Sequence, residues 1–286
     1  MSSRWNLNYT LHLGYLHPDD PLFRESVRSS DPWDHVEFAA QNGFAGVLFP
    51  WAVERSAYDV SRFKAALQHF GLRSSCIVYA PLDAVMIPSW TKPDGWVEIQ
   101  PHLDRTIPLA ADIGAPMLAV LLRKDGDESR IVQENAVVEN LRRAGDRASA
   151  AGLVIGIEHM IALPDMLLTN TEQVVALLDR VGHPAVKLIF DTGHVYEMGD
   201  DVNDAYRRAR HHIGLIQFAD MPGRVEPGSG TIDFESLLKQ IQQNGDLDQL
   251  IDLEHGWTEH SSAVESAGLL KMRTLDATLD QRQGFL

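Results

Sequence analysis

Four oxygen-bearing side chains each close a short apolar run in the second half of the chain. They are Glu158, Asp191, Gln217 and Glu254. Three carboxylates in one cleft of low dielectric would repel each other unless they are protonated or share a cation. A divalent ion is the most direct solution, and oxygen ligands suit Mg²⁺ or Mn²⁺ better than a structural zinc. The alternative is that these side chains only cap the helices that follow.

Two further residues extend this pattern into the segments after the apolar runs. His194 follows Asp191 in the sequence Asp-Thr-Gly-His. On a loop above the metal it could donate a hydrogen bond to a substrate oxygen. Arg224 lies in the turn-rich segment Met-Pro-Gly-Arg-Val-Glu-Pro-Gly-Ser-Gly, which could fold the guanidinium back over the site. The competing interpretations are a surface histidine and an exposed arginine paired with Glu226.

Other polar and aromatic residues are open to two interpretations. Tyr15 and Trp51 follow the first two apolar runs, where they could wall a sugar pocket or pack at its rim. The glycines of residues 228–230 could offer N–H groups to a phosphate, although no lysine accompanies them. Asp252 should lie one layer below Glu254, with Lys187 as one candidate partner.

Two histidines directly follow proposed ligands. His159 comes after Glu158, and His255 comes after Glu254. Because side chains alternate along a strand, both rings are expected to point away from the ligand beside them. We therefore predict supporting or structural roles for these histidines.

The chain also contains the elements needed to bring such strand ends together. Short apolar runs bounded by Gly, Pro or Asp alternate with longer segments of helical apolar spacing. The predicted strands are residues 7–13, 46–49, 74–79, 117–122, 153–158, 186–191, 213–218 and 250–254. The predicted helices are residues 32–42, 60–70, 97–113, 133–151, 171–181, 202–210, 234–244 and 262–279.

This alternation predicts an α/β fold, a (β/α)₈ or TIM barrel that forms a single domain over residues 1–286. A Rossmann fold is the alternative, but no G-x-G-x-x-G follows the first strand. Active sites of TIM barrels lie at the C-terminal ends of the strands. The four side chains that close apolar runs are expected at that end.

The amino-acid composition limits the binding partners and the cellular compartment that we expect for this protein. The 286 residues include 25 Lys and Arg against 40 Asp and Glu, a net charge of −15 that argues against a nucleic-acid partner. The one cysteine, Cys76, excludes an intrachain disulfide and a Cys-rich zinc site. Neither a signal peptide nor a membrane span is evident. We expect a soluble cytoplasmic protein without a membrane partner, assembled as a homodimer or homotetramer.

Several segments resemble the hydroxypyruvate isomerase group of the xylose isomerase-like barrels. They are residues 162–168, 170–171, 191–194 and 217–230. The last of these, with Pro-Gly-Arg followed by Glu-Pro-Gly-x-Gly, is the most diagnostic. The resemblance is specific over residues 153–257, and before them it rests on the order of strands and helices.

The resemblance implies one divalent metal ion, Mn²⁺ or Mg²⁺ with Zn²⁺ or Co²⁺ as alternatives. The matching ligand positions are Glu158, Asp191, Gln217 and Glu254. In related ketose epimerases two glutamates exchange the proton, which implies catalytic roles for Glu158 and Glu254. The residues that contact substrate in those relatives match His194 and Arg224.

The implied activity is proton transfer between neighbouring carbons of a small sugar or hydroxy-keto acid, through an enediolate. Isomerisation and epimerisation both remain open. The alternatives are a dehydratase of a keto-polyol or dehydroshikimate, an endonuclease acting at abasic DNA, and a non-catalytic ligand-binding protein. The acidic balance and single apparent metal site argue against the endonuclease.

Overall fold

Short parallel strands form the centre of the fold. The structure is a computed structural model that describes residues 5–163, 165–244 and 248–279. The strands are β1 (Asn8–His12), β2 (Gly46–Leu48), β3 (Arg73–Ser74), β4 (Ile77–Val78), β5 (Met117–Leu121), β6 (Val154–Glu158), β7 (Val186–Asp191), β8 (Ile213–Phe218) and β9 (Leu250–Leu253).

Helices follow most of these strands. They are α1 (Arg24–Val27), α2 (Pro32–Gln41), α3 (Ala57–Phe70), α4 (Leu82–Val85), α5 (Trp96–Ile113), α6 (Arg130–Ala150), α7 (Thr171–Val181), α8 (Thr192–Glu197), α9 (Val202–Ala209), α10 (Phe234–Gln243) and α11 (Ser262–Asp276). Short 3₁₀ turns occupy Ala52–Glu54 and Ser89–Thr91. Among the described residues, none of the helices combines the length and apolarity that a bilayer crossing requires.

The sheet curls into a barrel whose strands lie in the order β3-β2-β1-β9-β8-β7-β6-β5-β4, and the paired strands are parallel. β3 and β4 are two halves of the single strand predicted for residues 74–79. The Ser75 N–H donates to the Val47 carbonyl at 3.0 Å, and the Tyr79 N–H donates to the Ala119 carbonyl at 3.1 Å. This segment therefore bonds to a strand on each side, and the predicted TIM barrel is confirmed.

The differences from the prediction concern short elements. β3 pairs with β2, whereas β4 pairs with β5, so the strand predicted for this segment is divided into two. The helices α1, α4 and α8 were not predicted, because four to six residues are too few to show helical apolar spacing. The single domain remains a prediction, and its ends, residues 1–4 and 280–286, lie outside the described residues.

Alternation along the strands separates two apolar cores. In β5, Leu118 and Val120 face the helices, whereas Met117 and Ala119 belong to a second cluster inside the barrel. A Cβ on Gly156 would lie 2.5 Å from the sulfur of Met117, so glycine makes room for this packing. Apolar side chains thus fill the barrel near the strand starts.

Asp31 begins α2 and also binds an arginine of the next helix. Its Oδ1 accepts from the Trp33 N–H at 2.9 Å, and Arg62 Nη2 donates to Oδ2 at 2.8 Å. Burial alone raises the pKa of Asp31, but the bonds from Arg62 and Trp33 outweigh burial and lower it from 3.8. The ionised carboxylate therefore stabilises the folded state.

We expect Asp31→Ala to lower the free energy of unfolding by about 1 kcal/mol through loss of the cap. Asp31→Asn should cost less because an amide oxygen still caps the helix. Because the pKa is lowered on folding, the difference between Asp31→Ala and wild type should shrink as the pH falls below the unfolded value of 3.8. Urea denaturation between pH 3 and 7 measures this, and equal losses in both variants would refute the capping role.

Candidate active site

The structure brings the four side chains that close apolar runs to one end of the barrel. Asp191 pairs in register with Gln217 across β7 and β8. Gln217 Nε2 donates to Glu254 Oε1 at 3.0 Å, and the Glu254 N–H donates to the Phe218 carbonyl at 3.1 Å. Glu158 ends β6, next to β7. All four therefore converge at the C-terminal mouth, where TIM barrels carry their active sites.

Arg224 lies among these carboxylates. Its Nη1 and Nη2 donate to the two oxygens of Asp191 at 3.1 and 2.7 Å, and Nη2 also donates to Glu254 Oε2 at 2.6 Å. The loop after β8 thus folds the guanidinium back over the site, as the sequence suggested. Within the described residues Arg224 forms no ion pair with Glu226, the competing interpretation; Glu226 instead lies 3.8 Å from Lys271 Nζ.

His194 contacts the same cluster from the short helix α8, not from a loop as predicted. Its N–H donates to Asp191 Oδ1 at 2.8 Å, so the carboxylate also caps α8. Its Nε2 lies 3.4 Å from Glu158 Oε1. Glu158, Asp191 and His194 each offer one potential ligand atom, and these atoms all lie within 4.8 Å of each other. The geometry thus allows His194 to be a ligand as well as a substrate contact.

Two buried carboxyl groups of the cluster have pKa values that are shifted in opposite directions. Burial raises the pKa of Asp191, but Arg224 and His194 outweigh burial and hold it below its usual value. Burial and then the charge of Glu158 raise the pKa of Glu254 well above its usual value, against the effect of Arg224. The contact with Arg224 does not reverse the upward shift of the Glu254 pKa, because Asp191 already receives two bonds from that guanidinium. One arginine cannot neutralise every carboxylate in the cluster.

His194 balances part of the remaining negative charge. Burial lowers its pKa, but Asp191 and the bonds to Glu158 and Glu197 reverse this effect and raise it to about 10. Asp191 and Glu158 therefore favour a cationic imidazolium at neutral pH. The mouth of the barrel strongly favours positive charge.

Gln217 provides a direct test of whether a metal ion fits here. Its Oε1 atom is buried and has no hydrogen-bond partner among the described residues. A buried oxygen without a donor is costly, and a cation would satisfy it. Three carboxylates and a free amide oxygen form a suitable donor set for one hard divalent ion. The residues that would hold it are Glu158, Asp191, Gln217 and Glu254, with His194 within reach.

Tyr15 and Trp51 lie together beside this cluster. Trp51 Nε1 donates to the Tyr15 carbonyl at 2.9 Å, and the Tyr15 ring centre lies 5.2 Å from Cζ of Arg224. Tyr15 therefore packs on the guanidinium, and Trp51 holds the backbone that presents Tyr15. Contact of either residue with substrate remains a prediction.

Three polar residues that adjoin the proposed ligands in the sequence, namely Asp252, His159 and His255, are buried in the interior of the protein. Asp252 accepts from Thr10 Oγ1 at 2.5 Å and from Ser75 Oγ at 2.8 Å, so these two hydroxyls are its partners and not Lys187, the candidate that the sequence left open. Burial raises the pKa of Asp252 to about 7, although these hydroxyls oppose the shift. His159 and His255 are almost completely buried, and burial lowers the pKa of each to about 4. Both are neutral at pH 7.

His12 was not predicted as a site residue, although it ends β1 much as the proposed ligands end their strands. Its Nδ1 accepts from the Gly14 N–H at 3.0 Å, which makes Nε2 the donor to the His255 carbonyl at 3.0 Å. Burial lowers the pKa of His12 to about 3. This neutral ring packs against Tyr15, with 5.0 Å between the ring centres. Its position at a strand end was the signal that could have identified it.

Asp220, also missed, holds the loop that carries Arg224. Its Oδ2 accepts from the N–H groups of Gly228 and Gly230, both at 2.8 Å. Its Oδ1 accepts from Met221 at 2.8 Å and Ile232 at 3.0 Å. The glycine N–H groups considered for phosphate thus bind an internal carboxylate.

Replacing Asp220 tests this loop anchor. In Asp220→Asn, N–H groups would face an amide nitrogen, which leaves buried donors unsatisfied. We expect the free energy of unfolding to fall by about 2–3 kcal/mol, with faster proteolytic cleavage between residues 221 and 232. Urea denaturation and limited proteolysis measure both effects. Asp233→Asn is the control because an asparagine still caps α10, and equal effects in both variants would contradict the anchor.

Comparison with known proteins identifies the family. The model of the xylose isomerase-like TIM barrel family matches residues 36–273. The chain is 27% identical to hydroxypyruvate isomerase of Escherichia coli over 230 residues, covering 77% of this chain and 85% of that protein. It is also 27% identical to 2-oxo-tetronate isomerase of Cupriavidus necator over 225 residues, covering 74% and 82% respectively.

Solved structures agree at the level of fold. A family 2 AP endonuclease from Brucella melitensis superposes with a TM-score of 0.76 at 18% identity, covering 90% of this chain and 96% of that one. The 3-keto-D-glucoside 4-epimerase of Escherichia coli superposes with a TM-score of 0.73 at 16% identity, covering 95% and 99%. The predicted resemblance is confirmed, and the chain belongs to the xylose isomerase-like TIM barrel family.

Proposed function

We propose that this protein is a divalent-metal-dependent isomerase or epimerase of a small hydroxy-carbonyl compound. The observation that carries the proposal is the cluster at the barrel mouth, where Gln217 Oε1 is buried without a donor beside several carboxylates. The names of the relatives support an isomerase, since hydroxypyruvate isomerase and 2-oxo-tetronate isomerase both align over most of the chain.

Glu158, Asp191, Gln217 and Glu254 would hold the ion. When bound there, a divalent ion would polarise a substrate carbonyl and its neighbouring hydroxyl, making the C–H between them more acidic. Mn²⁺ and Mg²⁺ fit this mainly oxygen donor set, and the reach of His194 also admits Zn²⁺ or Co²⁺.

The chain supplies two glutamates for the proton transfer. Glu158 on β6 and Glu254 after β9 approach the cluster from opposite sides of β7 and β8. One carboxylate would remove the proton next to the carbonyl, and the other, or the same one, would return it. Return to the neighbouring carbon gives isomerisation, whereas return to the opposite face of the same carbon gives epimerisation.

Other groups would stabilise and position the substrate. Where His194 is not a ligand of the ion, its imidazolium would stabilise negative charge on the enediolate oxygens, and Arg224, held by Asp191 and Glu254, would add positive charge to the site. Tyr15 packs on Arg224 and would restrict its movement. Substrate contacts by Tyr15 and Trp51, a cytoplasmic location and a homodimer or homotetramer complete the proposal.

Deuterium exchange tests the reaction. Protein loaded with Mn²⁺ is incubated in D₂O with hydroxypyruvate, short ketoses, hexoses and keto-inositols, and mass spectrometry follows incorporation. We expect deuterium next to a carbonyl and loss of exchange when a chelator removes the ion. Water loss instead of exchange would identify the alternative dehydratase reaction, whereas stoichiometric binding with neither would indicate a ligand-binding protein.

Replacing the glutamates tests their assignment. We expect Glu158→Gln and Glu254→Gln each to reduce exchange by at least about 100-fold, because each removes a proton-transfer group. Glu235→Gln, at an exposed position of α10, is the control and should retain exchange. Calorimetry reports whether Mn²⁺ still binds. Near-normal exchange in both active-site variants with Mn²⁺ bound would rule out this mechanism.

A further inference from the structure

A second arginine near the barrel mouth lacks the carboxylate partners that Arg224 has. Among the described residues, Arg123 Nη1 has one hydrogen-bond contact, to the thioether sulfur of Met86 at 3.5 Å, and its buried Nε has no acceptor. Within the described residues no ion pair includes Arg123, whereas Arg224 reaches both Asp191 and Glu254. A thioether is a weak acceptor, so most of the hydrogen-bonding capacity of Arg123 is unused.

The strand register places Arg123 above the proposed metal ligands. Leu121 pairs with Glu158 across β5 and β6. Leu122, just past the end of β5, packs in the core between strands and helices, whereas Ala119 belongs to the interior cluster and Leu121 is in register with Glu158. Alternation therefore places Arg123, which is in an extended bridge, on the same side as Ala119 and Glu158. Two residues further along an extended chain amount to about 6.6 Å. Arg123 therefore lies one layer beyond Glu158, toward the mouth.

Neighbouring loops hold the backbone of Arg123 in place. Its carbonyl accepts from Thr91 Oγ1 at 2.8 Å, and the residue forms an antiparallel bridge with Met166. The Leu167 N–H also donates to the Leu122 carbonyl at 2.9 Å. The guanidinium is therefore presented from a fixed backbone, which limits the entropy lost on binding a ligand.

We infer that Arg123 binds a carboxylate at one end of the substrate and so selects acidic over neutral hydroxy-carbonyl compounds, an assignment that rests on the proposed function. A partly buried guanidinium without a counter-charge favours an anionic ligand, and its planar fork matches a carboxylate. The carbonyl and hydroxyl would then face the acidic cluster. A neutral ketose offers Arg123 no charge.

A phosphate ester is the other anion that an arginine could bind. The glycine-rich loop after β8 provides no additional phosphate donors from Gly228 and Gly230, because their N–H groups bind Asp220. Arg224 is also occupied by Asp191 and Glu254. A single free arginine suits one carboxylate better than a dianionic phosphate.

Calorimetry with Mn²⁺-loaded protein tests the inference through binding alone. Hydroxypyruvate and dihydroxyacetone share a hydroxyketone end and differ in whether a carboxylate is present, and dihydroxyacetone phosphate tests the phosphate. We expect wild type to favour hydroxypyruvate and Arg123→Met to weaken its binding by about 10- to 100-fold. Dihydroxyacetone binding should not change. Arg123→Lys should give an intermediate loss because the charge remains without the fork.

Lys124→Met is the matched control, since it removes the same charge from the adjacent exposed residue and should alter binding less than about 2-fold. Circular dichroism checks the fold of each variant, and the selectivity of wild type stands even if Arg123→Met does not fold. The inference is overturned if wild type does not prefer hydroxypyruvate, if it prefers the phosphate, or if folded Arg123→Met binds hydroxypyruvate like Lys124→Met.

Deuterium exchange separates this inference from the proposed function. Hydroxypyruvate binding that depends on Arg123, without exchange of any substrate, would preserve the carboxylate site and refute the isomerase. Exchange that chelation and Glu158→Gln abolish but Arg123→Met leaves unchanged for hydroxypyruvate would preserve the isomerase and refute the role of Arg123.

Discussion

Positive charge at the C-terminal mouth is the requirement on which the rest of the site depends. Glu158, Asp191 and Glu254 approach each other where little water can screen them, and burial makes each unpaired carboxylate costly. Arg224 and His194 offset part of this cost. Gln217 directs a buried oxygen without a donor into the same region. A cluster held at such cost is more readily explained by catalysis than by stability.

The barrel keeps this cluster in place by separating polar from apolar side chains along its length. Met117, Ala119, Leu215 and their neighbours fill the interior, whereas the ligand candidates occupy the far ends of the strands. Asp220 then fixes the loop that returns Arg224 to the mouth. The strands hold the carboxylates, and loops tied by internal hydrogen bonds supply the cations. A rigid scaffold with polar loops is the usual basis for varied chemistry on this fold.

The two arginines near the mouth differ in what they leave for a ligand. Arg224 is committed to Asp191 and Glu254, so its charge belongs to the site itself. Arg123 has a fixed backbone and a thioether contact but no carboxylate partner in the described ranges. In the inferred binding mode, the carbonyl and hydroxyl of the substrate face the acidic cluster, and its carboxylate contacts Arg123. The proposed negative charge of the substrate thus rests on Arg123, the arginine of this pair that has no carboxylate partner among the described residues.

The barrel and the strand ends that carry the chemistry could be predicted from the amino-acid sequence, because apolar periodicity and the residues that close each run are local properties. The sequence also identified Asp191, Gln217 and Arg224 as neighbours through the expected strand order. The folded chain was needed to show that Asp252 binds Thr10 and Ser75, and that none of the described acidic residues pairs with Arg123. Those outcomes depend on register and on contacts between distant loops, and neither leaves a periodic signal in the chain.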